Sequence, residues 1–583
     1  MRGTRFQVYL AAILLAVGAL PCGQAQSTWS GNATYSGNGI VSSGPGTIPA
    51  SLFGLHFRFN ENSQLAGQPC PTVVLYYPNI PFGALRLWDT DTRWQNLEQA
   101  QGVYNFSCLG PYLQTALARG VTEVILTLSS TPQWASSNPT YSNCDYSWFA
   151  LGDCAPPYDL NSDGTGADQL WRDYIYNLSV YLSQLPPTYH PVTAFEMWNE
   201  FSRGPGGGTC TEGPTSPEAW QGTCAQLVRM VQDANCILTG ATMTITATGT
   251  GCTPGSMNEP KIGLQKQARI LTPNVVPQLP DYPLLGTYLA TTGALTQVQG
   301  VAVHAYSFQG LGTTSPVPYI GGQASLPSQW ANVVSVLPGA AFGLPVWSTE
   351  GSWGSTSTNL PDANMDEGFV AQYYFVGWSA GFREMYWYAV NNSYGTLINQ
   401  NGLRGCVETV TGLGCPTLAA TGWTQTYNWM VGNTMTTPCA ATVSGGPVYT
   451  CGMETAGTLL SGVAHVSGNQ LYWTSGAKFT AGMVGRNINL SGTSYPVTSF
   501  TSSTQISIGA SLPSTSGLLF SINTGTQELL VFDSSQTCTP CTTSTYTYPA
   551  WATKYYTLDG GSTPVALSGG TVAIGWKPIL LSQ

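Results

Sequence analysis

Short apolar, β-branched runs alternate with longer amphipathic stretches from Leu52 to about Ala389. Runs of this kind are typical of buried strands, and the longer stretches are typical of helices. Eight such runs with helices between them indicate an α/β fold, a (β/α)8 TIM barrel. The predicted strands are Leu52–Phe59, Ala84–Trp88, Glu123–Leu128, Ala194–Trp198, Ala241–Thr246, Gly300–His304, Pro345–Thr349 and Met385–Tyr388.

One helix is predicted to begin after the fourth strand. Ser216 offers an N-cap, and Pro217 would occupy the first helical position. A doubly wound sheet is the alternative architecture, but a glycine-rich phosphate loop after an early strand would be expected there, and the sequence has none. The residues that would share one helix face are Trp220, Cys224, Leu227, Val228 and Val231.

The character of the chain changes after the barrel. From Gly402 onward it is rich in Thr, Ser and Gly, with short strand-like runs and frequent turn signals, which predicts an accessory β-sandwich. A disordered linker is the alternative, and the alternating Val, Ile and Tyr residues disfavour it. The runs are Gln470–Thr474, Asn487–Leu490, Gln505–Ile508, Leu518–Ile522, Glu528–Phe532 and Thr571–Trp576.

These patterns predict a signal peptide at 1–25, N-terminal strands at 26–50 that join the β-sandwich, and a catalytic barrel at 51–400. The β-sandwich is predicted at 401–583, with a small all-β insert at about 476–523.

Composition limits the partners. Only 8% of the 583 residues are charged, against about 25% in an average domain, and the net charge is −10. No basic cluster is present for phosphate contacts, so a nucleic-acid partner is not expected. A surface of Ser, Thr, Asn, Gln and Gly suits neutral ligands.

The N-terminus predicts export. Arg2 and Arg5 precede an apolar run from Val8 to Leu20, and cleavage is expected near Ala25. The run is short for a membrane span, and no later segment is long and apolar enough, so we expect no membrane insertion. We therefore expect a secreted protein, extracellular or periplasmic.

The cysteines support an oxidising compartment. Of 15 cysteines one, Cys22, lies in the signal, which leaves 14. A zinc or redox role for Cys538 and Cys541 is the alternative to a bridge, but no second pair or nearby His accompanies them. The expected bridges are Cys144/Cys154, Cys406/Cys415, Cys439/Cys451, Cys538/Cys541, Cys70/Cys108, Cys210/Cys224 and Cys236/Cys252, although spacing alone does not fix the pairing.

Two glutamates end predicted strands. Asn199 and Glu200 follow the fourth strand, and Glu350 follows the seventh. Active sites of barrels lie at the carboxyl ends of the strands, so these carboxylates should face each other across the barrel mouth. Two carboxyl groups about 5 Å apart can cleave a glycosidic bond with retention of configuration.

This arrangement resembles clan A glycoside hydrolases, and further motifs resemble glycoside hydrolase family 39. The resemblance covers about Ser51 to Ala389 and resumes near Glu528–Leu581. It implies a catalytic barrel joined to a β-sandwich, and activity as a β-xylosidase or exopolysaccharide endoglycosidase. The motifs are Leu85-Arg86-Leu87-Trp88-Asp89, Gly102-Val103-Tyr104-Asn105-Phe106, Thr131-Pro132-Gln133-Trp134-Ala135 and His304-Ala305-Tyr306.

The resemblance implies that Glu200 is the acid/base and Glu350 the nucleophile. Asn199 would bond the sugar 2-hydroxyl. Arg86 would keep Glu350 ionised, because a neighbouring cation lowers a carboxylate's pKa, and Tyr306 would orient Glu350.

Further residues are candidates for substrate binding. His56 and His304 end strand-like runs, where hydrogen bonds to sugar or to the glutamates are favoured over a zinc pair. Trp134, Trp353 and Trp387 are candidate stacking platforms, with core packing as the alternative.

A calcium site is considered at Asp159–Gly164, which matches the first half of an EF-hand loop. The twelfth position is Leu170 instead of glutamate, so a turn that caps a helix is favoured. We expect no metal and no cofactor.

The sequence thus predicts a secreted retaining β-glycoside hydrolase that acts on oligo- or polysaccharides. The alternative is a non-catalytic carbohydrate-binding barrel protein, and a third hypothesis gives the β-sandwich an attachment role. The sugar, the linkage, the choice between endo and exo action and the oligomeric state stay open.

Overall fold

The computed structural model describes residues 33–36, 39–42, 47–57, 79–142, 144, 150–201, 210, 219–241, 262–276, 282–307, 325–339, 344–353, 363–390, 397–399, 415–444, 446–536 and 541–583. The predicted signal peptide, 1–25, lies outside the described residues, and so does nearly all of the predicted strand Ala241–Thr246.

Strands and helices alternate in the first two thirds of the chain. In chain order the strands are β1 (Ala33–Ser36), β2 (Gly39–Ser42), β3 (Phe53–His56), β4 (Ala84–Leu87), β5 (Glu98–Ala100), β6 (Val103–Tyr104), β7 (Glu123–Leu128), β8 (Ala194–Met197), β9 (Arg269–Leu271), β10 (Val301–His304), β11 (Val346–Gly351), β12 (Phe382–Trp387), β13 (Ile398–Asn399) and β14 (Cys415–Pro416). The α-helices are α1 (Trp94–Leu97), α2 (Leu109–Ala118), α3 (Gln169–Gln184), α4 (Cys224–Thr239), α5 (Tyr282–Ala290), α6 (Leu326–Val336), α7 (Ala363–Ala380) and α8 (Leu418–Met430).

A parallel eight-stranded sheet forms the barrel, in the order β10-β11-β12-β3-β4-β7-β8-β9. Parallel bridges Leu271↔Gly300 and Val275↔Val303 join β9 to β10 and close the sheet. The predicted (β/α)8 barrel is confirmed. Its first to eighth strands are β3, β4, β7, β8, β9, β10, β11 and β12.

The fifth barrel strand differs from the prediction. It is β9, whose Arg269 and Ile270 pair with Ala194 and Phe195 of β8. The prediction of Ala241–Thr246 for this strand is wrong, because β9 occupies the position between β8 and β10. Strand five therefore lies within the stretch from 248 to 299.

Side chains inside the barrel form a separate packed layer. Small residues from three strands leave room for the large rings of Trp347 and Tyr386. Gly54 of β3 is required here, since a Cβ at this position would lie 2.5 Å from Tyr386 Cδ1. The layer consists of Ala84, Ile125, Ala194, Leu271, Ala302, Trp347 and Tyr386.

Helix α4 begins later than predicted. Thr223 is its N-cap: its Oγ1 accepts from the Gln226 backbone N–H (3.1 Å), and Gln226 Oε1 accepts from the Thr223 N–H (2.9 Å). Because this capping box starts the helix at Cys224, the predicted start at Ser216 and Pro217 is wrong. Trp220 precedes the helix and packs edge-on against Trp198.

The EF-hand-like segment caps helix α3. Asp159 Oδ2 accepts from the backbone N–H groups of Gln169 (2.6 Å) and Leu170 (3.3 Å). Asp163 Oδ1 accepts from the Thr165 N–H (2.9 Å). These bonds agree with a helix-capping turn, as the sequence favoured over calcium.

An antiparallel sheet follows the barrel, in the order β15-β16-β21-β26-β23-β24, with a β22–β25 pair beside it. Alternate residues of β21 face opposite ways: Leu530 and Phe532 join the core shared with the barrel, and Val531 packs with Ile574 and Leu581. This two-sided burial confirms the β-sandwich. The strands are β15 (Thr434–Ala441), β16 (Val448–Glu454), β17 (Leu459–Gly476), β18 (Asn487–Leu490), β19 (Thr493–Ser502), β20 (Gln505–Asn523), β21 (Gln527–Asp533), β22 (Ser544–Thr547), β23 (Lys554–Thr557), β24 (Val565–Ala566), β25 (Thr571–Ile574) and β26 (Ile579–Ser582).

Strands β17 to β20 form a four-stranded sheet with its own core. It begins at Leu459, before Gly476, and the runs Gln505–Ile508 and Leu518–Ile522 belong to a single strand, β20. This sheet is inserted between two neighbouring strands of the sandwich, since Glu454 of β16 pairs directly with Gln527 of β21.

Three of the expected disulfides are present among the described residues: Cys144–Cys154, Cys210–Cys224 and Cys439–Cys451. Cys108 and Cys236 are also disulfide-bonded, and their expected partners, Cys70 and Cys252, lie outside the described residues, as does Cys406. Cys541 is exposed and free, so the expected Cys538–Cys541 bridge is wrong. A spacing of two residues brings two thiols near each other without orienting them.

Candidate active site

The polar residues singled out from the sequence meet at the carboxyl ends of the barrel strands. His56 ends β3, Arg86 lies in β4, His304 ends β10 and Glu350 lies near the end of β11. Asn199 and Glu200 lie just beyond β8. All six side chains are buried, so their charges interact through protein more than through water.

Arg86 lies at the centre of this group. Its Nη1 donates to Glu350 Oε1 (2.5 Å), its Nη2 to Asn199 Oδ1 (2.7 Å) and its Nε to Glu196 Oε2 (2.7 Å). Burial lowers the pKa of Arg86, but Glu196 and Glu350 raise it by more, so the net shift is upward. Arg86 therefore stays charged and holds both strand ends in place.

Glu196 serves as the buried partner of this arginine. Thr127 Oγ1 donates a second hydrogen bond to the same oxygen, Oε2, at 2.7 Å. The side chain is fully buried.

Glu350 receives hydrogen bonds on both oxygens. Tyr306 Oη donates to Oε2 (2.8 Å), and Arg86 donates to Oε1. Burial raises the pKa of Glu350 above its ordinary value, while Arg86, His56 and Tyr306 act to lower it. Arg86 thus acts in the expected direction, but burial outweighs it.

Glu200 lies within hydrogen-bond reach of a histidine. His304 Nδ1 is 2.7 Å from Glu200 Oε1 and 3.3 Å from Glu350 Oε2. One donor or acceptor atom from each of these three side chains lies within 4.8 Å of the others. The two carboxylates are therefore close enough to act on the two atoms of one bond.

This spacing bears on the stereochemistry. Retaining glycosidases place their carboxyl groups about 5–5.5 Å apart, and inverting enzymes place them about 6.5–9.5 Å apart to admit a water. In this structure the nearest oxygens of Glu200 and Glu350 lie within 4.8 Å of each other. Neighbouring groups of this kind can divide acid and nucleophile roles when their environments differ, and only Glu350 bonds Arg86.

Asp89 and Tyr388 also join this site. Tyr388 Oη donates to Asp89 Oδ2 (3.0 Å), and His56 Nε2 lies 3.5 Å from the same oxygen. Tyr388 also meets the His56 ring edge-on at 4.7 Å. Asp89 is the last residue of the Leu-Arg-Leu-Trp-Asp motif, and its place in that motif is the sequence feature that points to the site.

The three tryptophans predicted as stacking platforms differ in exposure. Trp387 is fully buried and packs against the rings of Trp353, Phe369 and Tyr373, so neither its face nor that of the buried Trp353 is open to a sugar. Both were candidate platforms, and core packing explains them instead. Tyr388, the residue directly after strand β12, faces the polar site.

Trp134 keeps part of its surface exposed. Its Nε1 donates to the Glu98 carbonyl (3.3 Å), and its ring meets Trp94 edge-on at 6.5 Å. The geometry leaves it a candidate platform.

Two clusters among the described residues have donors spaced for a metal: Glu200/His304/Glu350 and Cys144/Asp153/Cys154. In the first, Arg86 and Tyr306 already donate to Glu350, and a nearby fixed cation disfavours a second one. In the second, both sulfurs form a disulfide and are not thiolates. Neither donor set fits a zinc or calcium ion.

No protein-family model and no curated protein matches this chain. Solved structures similar to it include a family 39 glycoside hydrolase from the gut symbiont Bacteroides cellulosilyticus WH2, with 11% identity, a TM-score of 0.49 and coverage of 94% of this chain and 86% of the other. A conserved exported protein from Bacteroides fragilis has 10% identity, a TM-score of 0.47 and coverage of 92% and 98%. A monomeric β-xylosidase from Caulobacter crescentus CB15 has 14% identity, a TM-score of 0.43 and coverage of 82% and 97%.

Family 39, whose motifs this sequence resembles, is thus represented among the similar structures. Within the described residues, none of the helices has the length and apolar character needed to cross a membrane.

Proposed function

We propose that this protein is a retaining glycoside hydrolase that cleaves β-glycosidic bonds of oligo- or polysaccharides. The observation that carries the proposal is the closeness of Glu200, His304 and Glu350, with donor and acceptor atoms within 4.8 Å at the ends of barrel strands four, six and seven. Double displacement at a sugar carbon needs two carboxyl groups at such a separation.

In the first step Glu350 attacks the anomeric carbon, and the carbon–oxygen bond to the leaving group breaks. Glu200 gives its proton to the leaving oxygen. In the second step Glu200 takes a proton from water, which attacks the same carbon and releases Glu350. Arg86 and Tyr306 hold Glu350 in place, and His304 orients Glu200.

Asn199 and His56 are proposed to bind the sugar. Arg86 occupies Asn199 Oδ1, which leaves the Nδ2 donor for the sugar 2-hydroxyl, a contact that strengthens in the transition state. His56 and Trp134 are proposed to bind further parts of the substrate by hydrogen bonding and stacking.

A non-catalytic carbohydrate-binding barrel is the second candidate. It explains the buried histidines and tyrosines of the site. It does not explain why two carboxylates share one histidine while a buried arginine bonds only one of them, because binding a neutral sugar requires no such asymmetry.

We also propose that the protein works outside the cytoplasm. The N-terminal pattern of Arg2, Arg5 and an apolar run is that of a signal peptide. The disulfides agree, since such bonds persist in oxidising compartments.

The test is turnover of a panel of aryl β-glycosides and neutral polysaccharides by wild type, Glu350→Gln and Glu384→Gln. Glu384 is also a buried glutamate in a barrel strand, but it bonds Tyr386 away from the site, which makes it a matched control. We expect turnover by wild type and Glu384→Gln, and a loss of at least about 10⁴-fold in Glu350→Gln. Binding of the glycans by wild type without any turnover would favour the second candidate.

A further inference from the structure

The turn that carries Glu200 has an unusual backbone. Trp198 has φ of 60° and Glu200 has φ of 44°, so two non-glycine residues lie in the left-handed region within three positions. Side chains with a Cβ avoid this region unless the surrounding structure holds them there. Something outside the turn must therefore stabilise it.

Asn274 is fully buried and bonds the turn on both sides. Its Oδ1 accepts from the Glu200 backbone N–H (2.6 Å), and its Nδ2 donates to the Trp198 carbonyl (3.1 Å). One carboxamide thus joins the main chain of the two left-handed residues. It uses the N–H donor and the carbonyl acceptor of one carboxamide, and an ionised Asp of the same shape would keep only the acceptor.

The backbone next to Asn274 is anchored to the strand that bears His304. Val275 bridges Val303 of β10, and the His304 N–H donates to the Val275 carbonyl (2.8 Å). His304 Nδ1 is 2.7 Å from Glu200 Oε1. Contacts to β10 therefore help to hold both the main chain of Glu200, through Asn274, and its side chain, through His304. Asn274 therefore connects strands four, five and six at the barrel rim.

We propose that Asn274 is a positioning residue for the acid/base Glu200. This inference rests on the proposed function. Without the carboxamide, Trp198 and Glu200 lose the two bonds that stabilise the left-handed turn and relax toward ordinary φ values. The Glu200 carboxyl then moves away from the leaving oxygen, whereas Glu350, held by Arg86 and Tyr306, stays in place.

Such a displacement has a kinetic signature. Protonation by Glu200 matters most when the leaving group is poor, and it matters little for dinitrophenolate. For Asn274→Ala we expect kcat/KM on a phenyl β-glycoside to fall about 10²-fold, the usual effect of a misplaced catalytic group. On the dinitrophenyl glycoside kcat/KM should change little, as expected for Glu200→Ala.

The control is Asn235→Ala. Asn235 is also buried, and its Nδ2 donates to the Gln297 carbonyl (3.1 Å) and to Gln297 Oε1 (3.0 Å), away from the site. It should lose thermal stability, but its ratio of kcat/KM between the two substrates should match that of wild type. Asn274→Asp keeps the acceptor for the Glu200 N–H, so we expect it to recover part of the activity on the phenyl glycoside.

Equal losses on the two substrates in Asn274→Ala, or a substrate ratio equal to that of Asn235→Ala, would overturn the inference while leaving the proposed function intact. If Asn274→Ala does not fold, Asn274→Asp decides, because an unchanged substrate ratio in that variant overturns the inference as well. A wild type that turns over neither glycoside overturns the proposed function and this inference with it.

Discussion

At the scale of single residues, Arg86 and burial shift the pKa of Glu350 in opposite directions. The carboxylate lies 2.5 Å from the guanidinium and is hydrogen-bonded by Tyr306, yet burial keeps its pKa above the ordinary value. The proposed nucleophile must be ionised, so we expect turnover above the pKa of Glu350 and its loss as the pH falls through that pKa. Because that pKa is raised, the loss begins at a higher pH than for an ordinary glutamate.

Tyr306→Phe should move this acid limb. The Tyr306 hydroxyl favours the ionised form of Glu350, so its removal raises the pKa of Glu350 further and shifts the acid limb of kcat/KM to higher pH. On the plateau we expect a loss of about 10-fold, because a hydrogen bond to a charged group contributes about 1.5 kcal/mol or more. The measurement is kcat/KM against pH for both proteins. An acid limb at the same pH in both would contradict the role given to Tyr306.

At the scale of elements, the strands that carry the carboxylates could be predicted, and the fifth strand could not. Strands β8 and β11, which lead to Glu200 and Glu350, overlap the predicted runs Ala194–Trp198 and Pro345–Thr349. Strand β9 has only three residues, Arg269–Leu271, too few for a strand-like pattern, whereas Ala241–Thr246 has the composition of a strand. Asn274 follows β9, so this error also concealed Asn274.

Tyr388 illustrates a second limit of prediction from the sequence, the choice of the strand face that points to the site. Met385, Tyr386 and Trp387 succeed one another at the end of strand β12, and both faces of a barrel strand are buried. Alternation therefore does not tell the inward face from the outward one. Trp387 turned out to pack toward the helices, with Tyr388 at the site.

Strand β12 also carries a group that links stability to pH. Burial raises the pKa of Glu384 to about 8, with Glu123 adding to the shift and Arg269 opposing it. The folded protein therefore holds this proton more tightly than the unfolded chain, whose glutamates titrate near pH 4.3. The stabilisation is full below the unfolded pKa and is lost as the pH rises through about 8.

Thermal unfolding of wild type and Glu384→Gln between pH 5 and pH 9 checks this. We expect the Tm of wild type to fall by several degrees over this range, and that of the variant to fall by less, because glutamine stays neutral. Glu367 and Glu528, whose pKa values burial raises to about 7, leave a residual slope in both proteins. A wild-type Tm that rises from pH 5 to pH 9 would contradict this assignment.

At the scale of the whole molecule, the sequence correctly predicted a barrel followed by a β-sandwich, since composition and periodicity both change between them. It did not indicate how they join. Trp576 Nε1 donates to the Met365 carbonyl (3.0 Å), and Gln372 donates to the Trp576 carbonyl (2.8 Å), which fixes the sandwich against helix α7. Contacts between residues so distant in sequence leave no local pattern.

The cysteine chemistry can be tested on the intact mature protein. Cys541 is exposed and free, whereas each described disulfide closes a local loop, with sequence separations of 10, 14 and 12. Alkylation before reduction should therefore label Cys541, and mild reduction should lower the Tm by several degrees without abolishing turnover. Peptide mass spectrometry locates the label. Labelling of Cys144, Cys154, Cys439 or Cys451 before reduction would contradict the bridges.

The most direct test of the central claim is the anomeric configuration of the first-formed product, followed by proton NMR during early turnover of an aryl β-glycoside. Carboxylates as close as Glu200 and Glu350 predict a β-configured product, formed through a glycosyl-enzyme on Glu350. An α-configured first product would contradict the account, because inversion requires room for a water between carboxyl groups about 6.5–9.5 Å apart.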